Sequence, residues 1–280
     1  MSRFPLEAGV LPGFRILADG EADVLFSESI ESVLRQAQTD PSGPLGDSLT
    51  RLAGVMDETA LRGALRALCA ERLQLRAALT RHFGIEGIYT ALCRELGHDP
   101  GQTPDMIRDA ACEEAAFDAP GLRVAAQALG RVKGVKSART AARLSAWCAA
   151  SGGSRADHFA DHEDVFFTHD GSLRKQIYPK EIERNQPDIA RILDAEAARL
   201  DRVREAMRAA RCAQMTRALL HPGVAVLEAY DAAKTRCAAL DYEDLILRTL
   251  GLLEGTSVGM ARAQMVPWVM YKLDQGLDHI

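Results

Sequence analysis

Apolar residues recur every three or four positions along most of this chain, the spacing that places them on one face of an α-helix. The pattern predicts helices over about 21–38, 58–82 and 187–220. A helix between the first two has Leu45, Leu49, Leu52 and Met56 on its apolar face. On the helix over 58–82, arginines form a predicted outer face: Arg62, Arg66, Arg72 and Arg76.

Residues that start or stop helices divide this pattern. Thr103-Pro104-Asp105 predicts a helix start, because a hydroxyl cap is followed by proline in the first turn. Ser137 is predicted to cap the helix that follows it, and Gly97 to end one. Pro222-Gly223 predicts a break or a kink, and Ser151-Gly152-Gly153-Ser154 predicts a flexible joint.

Only short segments favour extended structure. One is Phe14–Leu17, and another is 165–178, where Asp170-Gly171 lies between two short runs and predicts a hairpin. A third, Leu277–Ile280, resembles the start of a strand. The predicted fold class is therefore all-α, with a small hairpin near 165–178 and a short C-terminal strand.

Composition narrows the function classes. The 280 residues have a formal net charge of −5, so any contact with nucleic acid must come from a local basic patch. Six cysteines without a CxxC pair predict reduced, buried thiols. No apolar run approaches the length of about 18 residues that spans a membrane, and the first residues contain no signal-peptide core, which predicts a cytoplasmic protein.

Two basic clusters are candidate contacts to the DNA backbone, because phosphates need Lys or Arg within reach. One follows Arg131 and contains Lys133, Lys136, Arg139 and Arg143. The other is the turn with Arg174, Lys175 and, nearby, Lys180. The alternative for each cluster is a solvated surface loop.

One His/carboxylate cluster invites a metal interpretation. His158 and His162 are four positions apart, one helical turn, as in some metal pairs. No third ligand is fixed by spacing, so a solvated acidic helix end is the favoured interpretation. For the aromatic residues Trp147 and Tyr89, core packing is favoured over stacking on bases.

Several motifs resemble those of UvrD/RecB-type superfamily 1 DNA helicases, closest to the AddA subunit. Leu240-Asp241-Tyr242-Glu243-Asp244-Leu245 is similar to the L-D-[FY]-[DE]-D-L motif that precedes the Walker B strand, and Leu277–Ile280 to the stretch that runs into it. Arg3–Val10 and Phe14–Glu21 resemble the AddA segments after motif I. Weaker likenesses cover Lys136–Trp147 and Phe167–Lys175.

The resemblance implies a fragment between helicase motifs I and II of an ATP-dependent helicase–nuclease of double-strand break repair. Residues 1–20 and 240–280 would be remnants of the first RecA-like domain, and 21–239 a helical 1B-type insertion with a joint near 151–154. Asp241, Tyr242 and Asp244 would start a helix rather than catalyse, with Asp241 as its cap. The implied partners are DNA, the rest of the helicase and an AddB-like subunit, without a membrane.

The ATP site of that family is missing from the sequence. A Walker A loop needs G-x-x-x-x-G-K-[ST] to hold phosphates, and no such string occurs. We therefore expect no cofactor in this chain, no catalytic residue and no ATP hydrolysis; ATP and Mg belong to the parent helicase. An incomplete sheet with an unpaired edge predicts a homodimer of the isolated chain or a frayed C-terminal end.

Two other function classes stay open. The chain could be a helical protein–protein interaction module, or a metal-dependent hydrolase that uses the His158/His162 cluster.

Overall fold

The computed structural model describes residues 13–254, and these are mostly helical, which confirms the predicted fold class. Within this range lie thirteen α-helices, one 3-10 turn and one two-stranded parallel sheet. The segments Arg3–Val10 and Leu277–Ile280, and the predicted C-terminal strand and fraying, lie outside the described residues. No helix in the described range is both long and apolar enough to cross a bilayer.

The chain forms two compact units. The first contains the described residues up to Thr80 and those from Ala218 onward; the second is Arg81–Arg217. These boundaries differ from the predicted segments. Ser151–Ser154, where a flexible joint is predicted, lies inside the second unit, and Ser151 caps a short helix there by accepting a hydrogen bond from the Ser154 N–H.

The first unit begins with the extended segment predicted at Phe14–Leu17. Its elements are β1 (Arg15–Ile16), α1 (Asp19–Thr39), α2 (Pro44–Ala53), α3 (Glu58–Ala70), α4 (Arg72–Arg81, up to Thr80), β2 (Ala239–Leu240) and α13 (Tyr242–Glu254). It also includes the end of the long helix α12 (Pro187–Arg236), from Ala218. β1 and β2 pair in parallel, with Arg15 opposite Ala239.

The predicted helix over 58–82 is interrupted at Glu71. The Glu71 N–H bonds the carbonyl of Leu68, three residues back, and this ends α3. Arg72, which was predicted to lie on the outer face, is instead buried. Its guanidinium is held by Asp241 at 2.6 Å, a contact between residues 169 positions apart that helical periodicity cannot indicate.

Of the two alternatives predicted at Pro222-Gly223, the break is wrong, because α12 continues through Pro222 to Arg236. Proline removes one backbone hydrogen bond, and packing of the helix outweighs that loss. Gly223 lies so close to α3 that a Cβ there would clash with the Leu68 side chain. The Cys69 thiol contacts the Gly223 carbonyl at 3.7 Å.

The second unit contains the remaining helices, which form a large apolar core and a smaller buried cluster of Tyr89, Cys93 and Ala213. They are α5 (Ile85–Glu95), α6 (Pro104–Ala111), α7 (Ala119–Arg131), α8 (Val135–Ala149), α9 (Gly152–Asp157), α10 (Phe159–Phe166), α11 (Lys180–Asn185) and α12 up to Arg217. Leu122, Leu129, Leu144, Phe166 and Leu193 are at the centre of this core. Thr103 caps α6 as predicted, by accepting from the Met106 N–H.

The aromatic and cysteine predictions can be checked residue by residue. Trp147 and Tyr89 are buried, as expected. All six cysteines are free thiols, but only four are buried; Cys212 and Cys237 are exposed. Burial raises the pKa of the Cys69 and Cys112 thiols to about 11, so these two are protonated and unreactive at neutral pH.

Candidate nucleic-acid interface

The first basic cluster lies on the N-terminal half of α8 and the loop before it. Lys136, Arg139 and Arg143 follow a spacing of three and four residues, so their side chains share one side of the helix. Lys133, Lys136 and Arg139 are exposed, whereas Arg143 is half-buried. The sequence thus forms a row of cations along one helix.

The start of α8 differs from the prediction. Ser137 is not the cap; it is buried in the first turn, and the helix begins at Val135 after Gly134. Gly134 has a φ of 140°, a left-handed value that favours glycine, and it offers no side-chain cap. The first backbone N–H groups of α8 are therefore left without a side-chain acceptor, beside Lys133 and Lys136.

The second basic cluster lies on the predicted turn, which the structure contains in a shorter form than expected. Val165 and Phe166 belong to α10, and only Phe167 and Leu173 form an antiparallel bridge. The prediction of a hairpin over 165–178 is thus right for the turn and wrong for the arms, because the buried face of α10 extends to Phe166.

Packing against α12 holds this turn in place. Gly171 has a φ of 82°, and a Cβ there would lie 2.8 Å from the Arg204 guanidinium. The same guanidinium lies 4.0 Å above the ring of Phe167. The turn therefore projects Arg174 and Lys175, both exposed, from a fixed base.

Asp164 joins the two clusters. Its carboxylate lies 3.7 Å from Arg143 of α8, and its carbonyl oxygen accepts a hydrogen bond from the Arg174 Nε at 3.1 Å. Residues that are 31 positions apart in sequence thus contact a single residue of α10. We call the surface formed by Lys133, Lys136, Arg139, Arg143, Arg174 and Lys175 the basic face.

In the part of the chain that the structure describes, most cations of the basic face have no carboxylate partner. Within residues 13–254, no carboxylate forms an ion pair with Lys133, Lys136, Arg139, Arg174 or Lys175. Lys180, the seventh predicted residue, is exposed at the first position of α11, and no contact links it to the others. Unpaired surface cations leave a positive potential available to an anionic partner.

The His/carboxylate cluster is divided between two environments. His158 is exposed, and its Nδ1 lies 2.9 Å from the Ser154 carbonyl. His162 is buried: it stacks on Trp147 at 3.9 Å, and its Nε2 lies 2.8 Å from Glu196. Among the described residues, no group of three or more His, Cys, Asp or Glu side chains is placed to hold a metal ion.

A buried polar centre surrounds His162, and the sequence analysis did not predict it. Glu196 accepts two hydrogen bonds from Arg199, both 2.7 Å. Burial favours the neutral imidazole and lowers the pKa of His162. Glu196 acts in the opposite direction, but burial has the larger effect. Burial alone would raise the pKa of Glu196, but the hydrogen bonds from Arg199 and His162 outweigh burial and lower it.

The helicase-like motif in the first unit lies at the start of α13. The Asp241 carboxylate accepts a hydrogen bond from the Asp244 N–H at 2.9 Å, and Asp244 accepts one from the Asp241 N–H at 3.2 Å. This is a reciprocal cap, so the interpretation of Asp241 as a helix cap is confirmed. Tyr242 is 74% exposed and takes no part in it.

Cations surround the same carboxylates. Arg72 contacts Asp241, and Lys234 contacts both Asp241 and Asp244. Burial by itself would raise the pKa of Asp241, but the Asp244 N–H and the charges of Lys234 and Arg72 lower it to about 2. The motif is thus a buried ion-pair network that ties α13 to α4 and α12.

Comparison with known proteins identifies no relative of this chain. No family model, no curated protein and no solved structure matches this chain.

Proposed function

We propose that the basic face binds the phosphate backbone of DNA, and that the chain corresponds to the segment between motifs I and II of an AddA-like, UvrD/RecB-type helicase. The observation that supports DNA binding most directly is the junction at Asp164. It brings Arg143 and Arg174 together, so two clusters that are separate in sequence act as one surface.

The charge distribution supports the same proposal. The chain as a whole is negative, at −5, yet the basic face contains six cations and the uncapped start of α8. Backbone N–H groups at a helix start and nearby Lys or Arg side chains are common phosphate contacts. Contacts of this type position DNA without reading its sequence, so no base preference is expected from them.

The resemblance to helicases has a separate structural support in the first unit. β1, within the segment Phe14–Glu21, pairs in parallel with β2, which leads directly into the Asp241 motif. All-parallel sheets occur almost only where helices cover both faces of the sheet. If residues 1–20 and 240–280 belong to one RecA-like domain, we expect their strands to lie side by side and in parallel.

ATP hydrolysis in this proposal belongs to other parts of the parent helicase. The sequence contains no Walker A string, so ATP and Mg would bind outside this segment. The segment contributes DNA binding. The rest of the helicase and an AddB-like subunit form the remainder of the helicase–nuclease complex of double-strand break repair.

Fluorescence anisotropy with a labelled DNA duplex, and separately with a single strand, tests the proposal on the full 280-residue chain. We expect binding at about 50 mM salt that weakens about a hundredfold at about 200 mM, if about four phosphates are contacted. Absence of binding at low salt would reject the DNA-binding role. Efficient ATP turnover by the purified chain would reject the assignment to a segment without the ATP site.

A further inference from the structure

A cavity of about 370 Å³ opens in the second unit between α8, α9 and α10. Its walls include Arg143, Trp147, Ser154, Arg155, Asp161 and His162. This volume lies within the range of small-molecule pockets. The cavity is distinct from the exposed row Lys133–Arg139, which does not line it, and shares only Arg143 with the basic face.

Arg155 is an unusual residue to find in such a wall. Its side chain is buried, with 3% of the residue exposed. Nε donates to the Trp147 carbonyl and Nη1 to the Cys112 carbonyl, both at 3.0 Å. Within residues 13–254, neither a carboxylate nor a hydrogen-bond acceptor contacts its third nitrogen, Nη2.

A buried guanidinium without a counter-ion is costly, because desolvation of a charge is offset only by pairing or by strong hydrogen bonds. Stacking of Arg155 over Phe117, with its Cζ 4.8 Å from the ring centre, compensates part of this cost. Nη2 is not among the buried atoms that lack a hydrogen-bond partner, so solvent reaches it. Because Arg155 lines the cavity, an anionic ligand there would replace that solvent and supply the missing counter-charge.

The second cation of the wall is Arg143. Its nearest carboxylate, Asp164, lies at 3.7 Å and is 60% exposed, so the pair is weak and easily exchanged. Two guanidinium groups therefore line one cavity, and Asp164, the one carboxylate that pairs with either of them within residues 13–254, does so weakly. Asp161, which is exposed at the cavity wall, is the acidic residue that would oppose an anion there.

We propose that this cavity binds a phosphate monoester, with Arg155 and Arg143 as its two cationic contacts. A phosphate monoester has a charge of about −1.5 to −2 at pH 7 and can balance the charges of two guanidinium groups, whereas a monocarboxylate balances only one. The ligand is a terminal phosphate of DNA or a free mononucleotide. This inference goes beyond backbone binding by the basic face and does not depend on it.

Isothermal titration calorimetry of the full chain with inorganic phosphate tests the proposal, and acetate serves as the monoanionic comparison. We expect saturable phosphate binding that is tighter than acetate binding. Asp161→Asn removes the opposing charge and should tighten phosphate binding about fivefold. Asp157→Asn, an exposed aspartate outside the cavity, is the matched control and should leave the affinity unchanged.

Arg143→Gln should weaken phosphate binding about fivefold or more. Arg155→Met should abolish it, and a circular-dichroism melt reports whether that variant is folded. If Arg155→Met does not fold, the pair Asp161→Asn and Asp157→Asn still decides the question. Equal effects of those two substitutions, or no phosphate binding by either the wild type or Asp161→Asn, would overturn the proposal.

The source of the phosphate is distinguished by comparing 5′-phosphorylated and 5′-hydroxyl oligonucleotides with a mononucleotide. Preference for the phosphorylated end assigns the cavity to a DNA terminus; binding of the mononucleotide alone assigns it to a free ligand. Lys136→Ala/Arg139→Ala should weaken binding of 5′-hydroxyl DNA and leave phosphate affinity intact. The two proposals can thus fail separately: the cavity can bind phosphate when the basic face does not bind DNA, and the basic face can bind DNA when the cavity does not bind phosphate.

Discussion

The guanidinium of Arg174 donates a hydrogen bond from Nε to the backbone carbonyl of Asp164, at 3.1 Å. Because the acceptor is a main-chain atom, this contact does not depend on the Asp164 side chain. The carboxylate of the same residue is left to approach Arg143 at 3.7 Å. The two contacts of Asp164 can therefore be separated by mutation.

Asp164→Asn should increase affinity for DNA by about two- to fivefold at low salt, because it removes a negative charge from the basic face and releases Arg143. The Arg174 contact should persist. Anisotropy titrations at about 50 mM salt measure the effect, and Asp157→Asn is the matched control. If Asp164→Asn binds DNA with unchanged affinity, Arg143 does not contribute to the DNA contact.

The buried pair of His162 and Glu196 predicts that stability declines in mild acid. His162 has a lowered pKa in the folded state, so below its ordinary value of 6.5 the unfolded chain binds a proton that the folded chain does not. Stability should therefore fall as pH decreases below about 6.5, by at most about 1.4 kcal/mol per pH unit for this proton. Denaturant melts between pH 7.5 and pH 5 measure the slope.

His162→Phe provides the comparison for that experiment. It keeps a ring against Trp147 but removes the titrating group, so the pH slope between about 6.5 and 5 should flatten even if overall stability is lower. A slope identical to that of the wild type would show that other groups cause the pH dependence.

The network at the start of α13 predicts a severe effect of a conservative change. Asp241→Asn keeps the size of the side chain but removes the carboxylate that Arg72 and Lys234 share. Because this leaves buried cations with less compensation, it should destabilise the protein by about 3–5 kcal/mol. Tyr242→Ala alters the neighbouring, exposed residue and should change stability by less than about 0.5 kcal/mol. Chemical denaturation of both variants makes the comparison; similar losses would contradict the buried network.

The same network predicts a second acid transition. The pKa of Asp241 is lowered to about 2 from an ordinary value of 3.8, so its stabilising effect is complete above about pH 4 and is lost as pH falls towards 2. In Asp241→Asn that part of the acid transition should be absent. Acid titration followed by circular dichroism tests this, and an unaltered transition would exclude Asp241 as its source.

Structural features that depend on neighbouring residues were predictable from the sequence, whereas features that depend on contacts between distant residues were not. The apolar periodicity of α1 and the Thr103 cap depend on residues within one or two helical turns, and both predictions are confirmed. The interruption at Glu71 and the passage of α12 through Pro222 are different, because each accompanies tertiary contacts of α3 and α4. Propensity is weak enough for such packing to override it.

The candidate site shows the same limit. Both basic clusters are visible in the sequence, but their contact through Asp164 requires the packing of α8 against α10 and the turn that follows it. Arg155 has no distinguishing neighbours in sequence; its burial depends on carbonyls of Trp147 and Cys112. The pairing of His162 with Glu196 spans 34 positions and was likewise invisible.

The salt dependence of duplex binding tests the central claim most directly. The variant Lys136→Ala/Arg139→Ala/Lys175→Ala should bind more weakly than the wild type, and the slope of log K against log salt should shrink by about 1 for each phosphate contact removed, about 3 in total. Arg191→Ala, which removes an exposed arginine already paired with Asp188, should leave the slope unchanged. A triple variant with the wild-type slope and affinity would contradict DNA binding by the basic face.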